Sequence, residues 1–124
     1  MVSEYAAAGE PAVGTMVYGG FNVNSENPRV KKFVDNFKKR YKREPSRVAA
    51  LSYDAYYMLA KGIEKSPSLR PSHVRKSIMG LKDFPGVTGI TSMNPNREAV
   101  KEPFLFEMAG KDGKYSFVSV KEPL

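Results

Sequence analysis

Apolar side chains return at helical spacing early in the chain: Val30, Phe33, Val34, Phe37 and Tyr41 stand at i, i+3, i+4, i+7 and i+11, the stripe of a helix with one buried face. Asn27-Pro28 marks its start, because Asn can accept from an orphan amide as N-cap and Pro at the first helical position loses no needed donor. Glu44-Pro45-Ser46 closes that helix and caps a second one running to about Glu64. In this second helix Val48, Ala49, Ala50, Leu51, Ala55, Tyr56, Met58, Leu59, Ala60 and Ile63 cover most of the circumference. It is therefore expected to be the more buried of the two. Pro71-Ser72 opens a shorter third helix, with Val74 and Ile78 on one face and a stop near Gly80.

The flanks read as β structure. Gly14-Thr15-Met16-Val17-Tyr18 before Gly19-Gly20 predicts a strand at 14–18 closed by a turn, with 22–27 as loop. From Asp83 the texture turns to Pro, Gly and β-formers, predicting a strand at 87–92, a polar loop at 94–101 and a strand at 103–108. Asp112-Gly113 favours a tight reversal that matches strand twist, and Tyr115, Phe117 and Val118-Ser119-Val120 supply the partner strand. The expected class is α/β: about three helices, strands near 14–18 and 87–92, and a C-terminal antiparallel hairpin over 103–120.

At 124 residues the chain has length for one domain. Its 14 aromatics, 7 Tyr and 7 Phe, give a core material to pack. The net charge of +7 is local: nine basic and two acidic residues lie between Arg29 and Arg47, and the rest is neutral with eleven of each sign. On the first helix the apolar set fills an arc of roughly 100°, leaving the cations spread around the remainder. No aromatics interleave with them, so base stacking and nucleic-acid recognition are not expected. A solvated face is the plain reading, and contact with an anionic surface is its rival.

Several chemistries drop out. The chain has no cysteine, which removes thiolate nucleophiles, disulfides and thiol-based metal sites. The single histidine, His73, sits in the first turn of the third helix, where an exposed side chain without a role is expected. Gly86-Val87-Thr88-Gly89 precedes a strand rather than a helix, so its glycines serve a turn and a close backbone approach rather than a phosphate. In Tyr53-Asp54-Ala55-Tyr56-Tyr57, Tyr56 is expected in the core, with Asp54 and Tyr57 meeting solvent or a neighbouring element. No nucleophile–base pair, metal site or cofactor site is expected. No run approaches about 18 apolar residues and Met1–Ala8 has no basic region ahead of an apolar stretch, so neither a membrane span nor a secretory signal is expected in the chain as given.

Six segments in order resemble the C-terminal part of type I periplasmic substrate-binding proteins, the branched-chain amino-acid receptors of ABC importers. They are Ala8-Gly9 with Val13-Gly14; Pro28 to Tyr41; Glu44-Pro45 with Ala49-Ala50 and Tyr53-Asp54-Ala55; Val74 to Leu81; Phe84 to Ile90; and Phe104 to Lys114. After the Phe84–Ile90 run that family shows an acidic, Gly-containing turn, whereas Ser92 to Arg97 is neutral to basic here. The resemblance implies a single partial domain, with about 13–90 in one lobe of a two-lobed fold and about 91–124 forming a crossover and terminal hairpin. It implies a non-enzymatic fragment of an extracytoplasmic receptor, periplasmic or at the cell surface, that closes on a small amino-acid-like ligand and serves an ABC permease. By position the start of the second helix faces the cleft mouth, which makes Val48, Ser52 and Tyr53 candidate ligand contacts. Two rivals stay open: a stand-alone basic interaction domain using the 29–47 helix, and a homodimer in which identical chains cover each other's apolar faces.

Overall fold

A computed structural model describes residues 7–123. After a 3-10 turn at Glu10–Ala12 come strand β1 (Met16–Gly19), helices α1 (Pro28–Tyr41), α2 (Arg47–Glu64) and α3 (Pro71–Met79), then strands β2 (Phe84–Gly86), β3 (Gly89–Met93), β4 (Ala99–Lys101), β5 (Phe104–Lys111) and β6 (Lys114–Lys121). The strands form two antiparallel sheets, β1-β5-β6 and β2-β3-β4.

The helix starts follow the capping chemistry read from sequence. Asn27 accepts from the Arg29 amide at 2.9 Å and Ser46 from the Ala49 amide at 3.2 Å. α1 ends where Lys42 turns left-handed at φ 57°, its amide returning to the Lys38 carbonyl. The β5–β6 reversal is the Asp112-Gly113 turn, with φ of 53° and 81°, both positive as a type I′ turn requires.

Four strand readings need correction. The strand expected at 14–18 spans Met16–Gly19, and that expected at 103–108 extends to Lys111. The run at 87–92 is not one strand: Val87-Thr88 is the turn of the β2–β3 hairpin, with Gly86 and Gly89 as its closing pair. The amides of Val87 and Thr88 bond to a side chain of α2 instead of a ladder, which breaks the strand there. The loop expected at 94–101 holds strand β4, because Asn94 closes a tight turn through the Glu98 amide and Arg97 adopts φ 69°, returning Ala99–Lys101 against β3.

The core packs Val30, Phe33 and Val34 of α1 against Ala50 of α2 and Val87, with Phe21, Val23 and Phe37 at its margin. Phe104 and Met108 of β5 are fully buried. Of the two long helices it is α1, not α2, that buries its apolar stripe. α2 buries Ala50, Asp54 and Gly62, whereas Val48, Tyr56 and Leu59 are 67%, 68% and 46% exposed. An apolar ring needs neighbours on every side, and among the described residues α2 meets them on one face only. Tyr56 accordingly lies outside the core.

Candidate functional site

The first turn of α2 and the end of β1 form a recess of about 480 Å³ lined by Val17 to Asn24, Arg47, Phe106, Ser116 and Phe117. The Gly19-Gly20 turn makes room for it. A Cβ at Gly19 would overlap the Phe106 ring, and one at Gly20 would touch Arg47 Cδ at 3.4 Å. The walls are largely apolar, with one guanidinium at the edge.

The candidate contacts divide between two surfaces. Ser52 and Tyr53 line a second groove of about 430 Å³ between α1 and α2, with Phe33, Asn36, Phe37, Arg40, Tyr41, Ala49 and Tyr56. Val48, one turn before Ser52, is exposed and borders neither recess. Ring contacts lead from the first recess into this groove and past it: Phe21 to Phe33 at 5.8 Å, Phe33 to Tyr53 at 4.7 Å and Tyr53 to Tyr57 at 4.6 Å between centroids. The Tyr53 phenol is held above its ordinary pKa, first by burial and then by its hydrogen bond to Tyr57 and the nearby Tyr57 and Asp54 charges.

Beneath this wall lies a buried carboxylate. Asp54 is 3% exposed and accepts from the Val87 amide at 2.8 Å, the Thr88 amide at 2.8 Å and the Thr88 hydroxyl at 2.5 Å. Lys101 Nζ donates to the same hydroxyl oxygen. Burial lowers the Lys101 pKa, and the Asp54 charge offsets part of that shift. Of the two options expected for Asp54, it takes the neighbouring element: it fastens the 86–89 turn to α2. Gly86 must be glycine for this, since a Cβ there would overlap the carboxylate. The signal available in sequence was an acid four residues after Ala50 on an apolar helix, facing a Gly-Val-Thr-Gly turn rich in free amides.

His73 is half-buried rather than exposed, its Nδ1 lying 2.8 Å from the Ser68 hydroxyl. Serine and histidine here brace the loop before α3, whose own N-cap, Arg70, has no side-chain cap bond. Among the described residues no cluster of three or more His, Asp or Glu could hold a metal ion. No helix there is long and apolar enough to cross a membrane.

Residues 3–114 match the periplasmic binding protein family, and the chain belongs to it. No curated protein is significantly similar in sequence. Among solved structures, the leucine-binding protein of Thermotoga maritima is 31% identical, with a TM-score of 0.65 over 89% of this chain and 31% of its own. The branched-chain amino-acid binding protein of Streptococcus pneumoniae, in complex with isoleucine, is 29% identical with a TM-score of 0.65, over 84% of this chain and 30% of its own. A substrate-binding protein of Desulfitobacterium hafniense in complex with Leu is 29% identical with a TM-score of 0.71, over 86% and 32%. The chain thus spans about a third of the length of the structures it matches. Its fold is accordingly a part of the α/β periplasmic-binding architecture: three helices and two small antiparallel sheets.

Proposed function

We propose that this chain is one wall of the ligand cleft of an extracytoplasmic solute-binding receptor serving an ABC importer, with no enzymatic activity of its own. The observation that carries the reading is the family match over residues 3–114, joined by relatives whose structures hold leucine and isoleucine. In this reading the segment is the C-terminal third of a two-lobed receptor, with about 13–90 in one lobe and about 91–124 as crossover and hairpin. A ligand bridging the lobes shifts the open–closed equilibrium by its greater affinity for the closed state, and the closed form engages the permease.

Val48, Ser52 and Tyr53 are the proposed ligand contacts, at the end of α2 that adjoins the Arg47 recess. Ser52 and Tyr53 lie in the largely apolar, aromatic groove between α1 and α2, which suits an aliphatic or aromatic side chain, so a small, largely apolar amino acid is the expected ligand class. The test is a graft that replaces the matching third of the Thermotoga maritima leucine-binding protein by this chain, titrated with leucine by calorimetry. A folded graft should bind saturably, and V48A, S52A and Y53A should each weaken binding by about tenfold. A graft that unfolds cooperatively yet takes up no leucine refutes the proposal, and unaltered binding by all three variants refutes the assigned contacts.

A further inference from the structure

The concentrated charge between Arg29 and Arg47 has no part in either recess except through Arg40 and Arg47. Helix stability explains only some of it. Lys38, Lys39 and Arg40 occupy the last turn of α1, where cations oppose the partial negative charge of the carbonyl end. Arg29, Lys31 and Lys32 occupy the opposite end, which has no acid in its first turn. Cations there face the positive end of the helix and cost stability.

The charge is neutralised internally only in part. Among the described residues, the carboxylates that pair with this group are Glu26 with Lys31, and Glu44 with Lys38 at 2.9 Å, both at exposed positions. Arg29, Lys32, Lys39, Lys42 and Arg43 are all exposed and make no ion pair there. With Val30, Phe33 and Val34 directed into the core, the unpaired Arg29, Lys32 and Lys39 stand on the side of the helix away from it, with unpaired Arg43 just past its C-terminal end, whereas Lys31 and Lys38 stand on the flank with their carboxylate partners, beside Asp35. The helix is about 21 Å long, so these charges present a compact cationic face.

We propose that this outer face of α1 docks on an anionic lipid surface, holding the protein against the membrane that carries its permease. The inference rests on the receptor reading for its location outside the cytoplasmic membrane, and on charge complementarity for its partner. Planar contact suits the arrangement, because cations on the side of the helix away from the core reach a flat layer of headgroups together. Each cation close to such a surface strengthens binding by roughly fivefold, an effect that salt screens.

The test is co-sedimentation of the 124-residue chain with phosphatidylcholine vesicles, with and without a third phosphatidylglycerol, at low and at physiological salt. Binding is expected to the anionic vesicles only and to fall as salt rises. The quadruple variant R29Q/K32Q/K39Q/R43Q should lose at least tenfold in affinity. A control of equal charge loss elsewhere, K61Q/K65Q/K76Q/K111Q, should stay within about twofold, with circular dichroism confirming that both variants fold. Absence of binding to anionic vesicles at low salt overturns the proposal, as does an equal loss in the control. Tighter binding to a mixed-sequence DNA duplex at the same salt also overturns it. Leucine titration of the graft reads the receptor assignment separately, so a failure of one does not pass for a failure of the other.

Discussion

Asp54 fastens the 86–89 turn to α2 through the Val87 and Thr88 amides and the Thr88 hydroxyl. It is a carboxylate at the helix–turn junction, removed from water and satisfied by two backbone amides and one hydroxyl. Charge-assisted bonds of this kind contribute about 1.5–3 kcal/mol each, and a donor left buried without an acceptor costs more than the bond was worth. Asp54→Ala should therefore destabilise the chain by about 3 kcal/mol in urea denaturation; a loss under about 1 kcal/mol would mean that water replaces the carboxylate. Lys101 adds a pH dependence. Its folded pKa lies below the ordinary 10.5, so between the folded value and 10.5 the unfolded chain binds more protons. Lys101 therefore contributes stability that grows with pH across that window as the cost of a half-buried cation is relieved, while above pH 10.0 the raised Tyr53 phenol, which keeps its proton longer in the folded chain, contributes a loss. Lys101→Met should flatten that rise in denaturation curves taken at a series of alkaline pH values, and an unchanged slope would remove Lys101 as its source.

At the scale of elements, what could be read from sequence followed the range of the interactions. Asn27, Ser46 and Asp112-Gly113 act within a few residues of themselves, and the helix starts and the hairpin they specify are where local chemistry puts them. β2 and β4 are three residues each: Asp54, distant in sequence, holds the turn after β2, while Asn94 returns β4 onto β3 through the Glu98 amide a few residues on. No period can form over three residues, so neither strand has a pattern to read. The same distinction governs Gly62. Propensity alone favours Gly62→Ala in α2 by about 1 kcal/mol, but a Cβ there would overlap Ile78 of α3. The expected outcome is net destabilisation by more than 1 kcal/mol in thermal or chemical unfolding, and a stabilised variant would show that α2 and α3 part easily. In the hairpin, Gly113→Ala should cost about 1 kcal/mol, since φ 81° is strained for alanine.

For the molecule as a whole, the pattern of α2 was read correctly and its environment was not. Its apolar ring expects neighbours all round, yet Val48, Tyr56 and Leu59 face outward from the described residues. The candidate contacts were legible only through the family's ordered segments, because no motif at Val48, Ser52 or Tyr53 specifies a ligand by its own chemistry. The net charge, which at first suggests nucleic acid, resolves into α1 and the short segment that follows it, up to Arg47. On the proposed reading, this chain forms one wall of a cleft whose ligand is held between two. Calorimetry of leucine titrated into the 124-residue chain alone measures it most directly. No saturable heat is expected at any concentration below the millimolar range, and micromolar binding by the chain on its own would contradict the account.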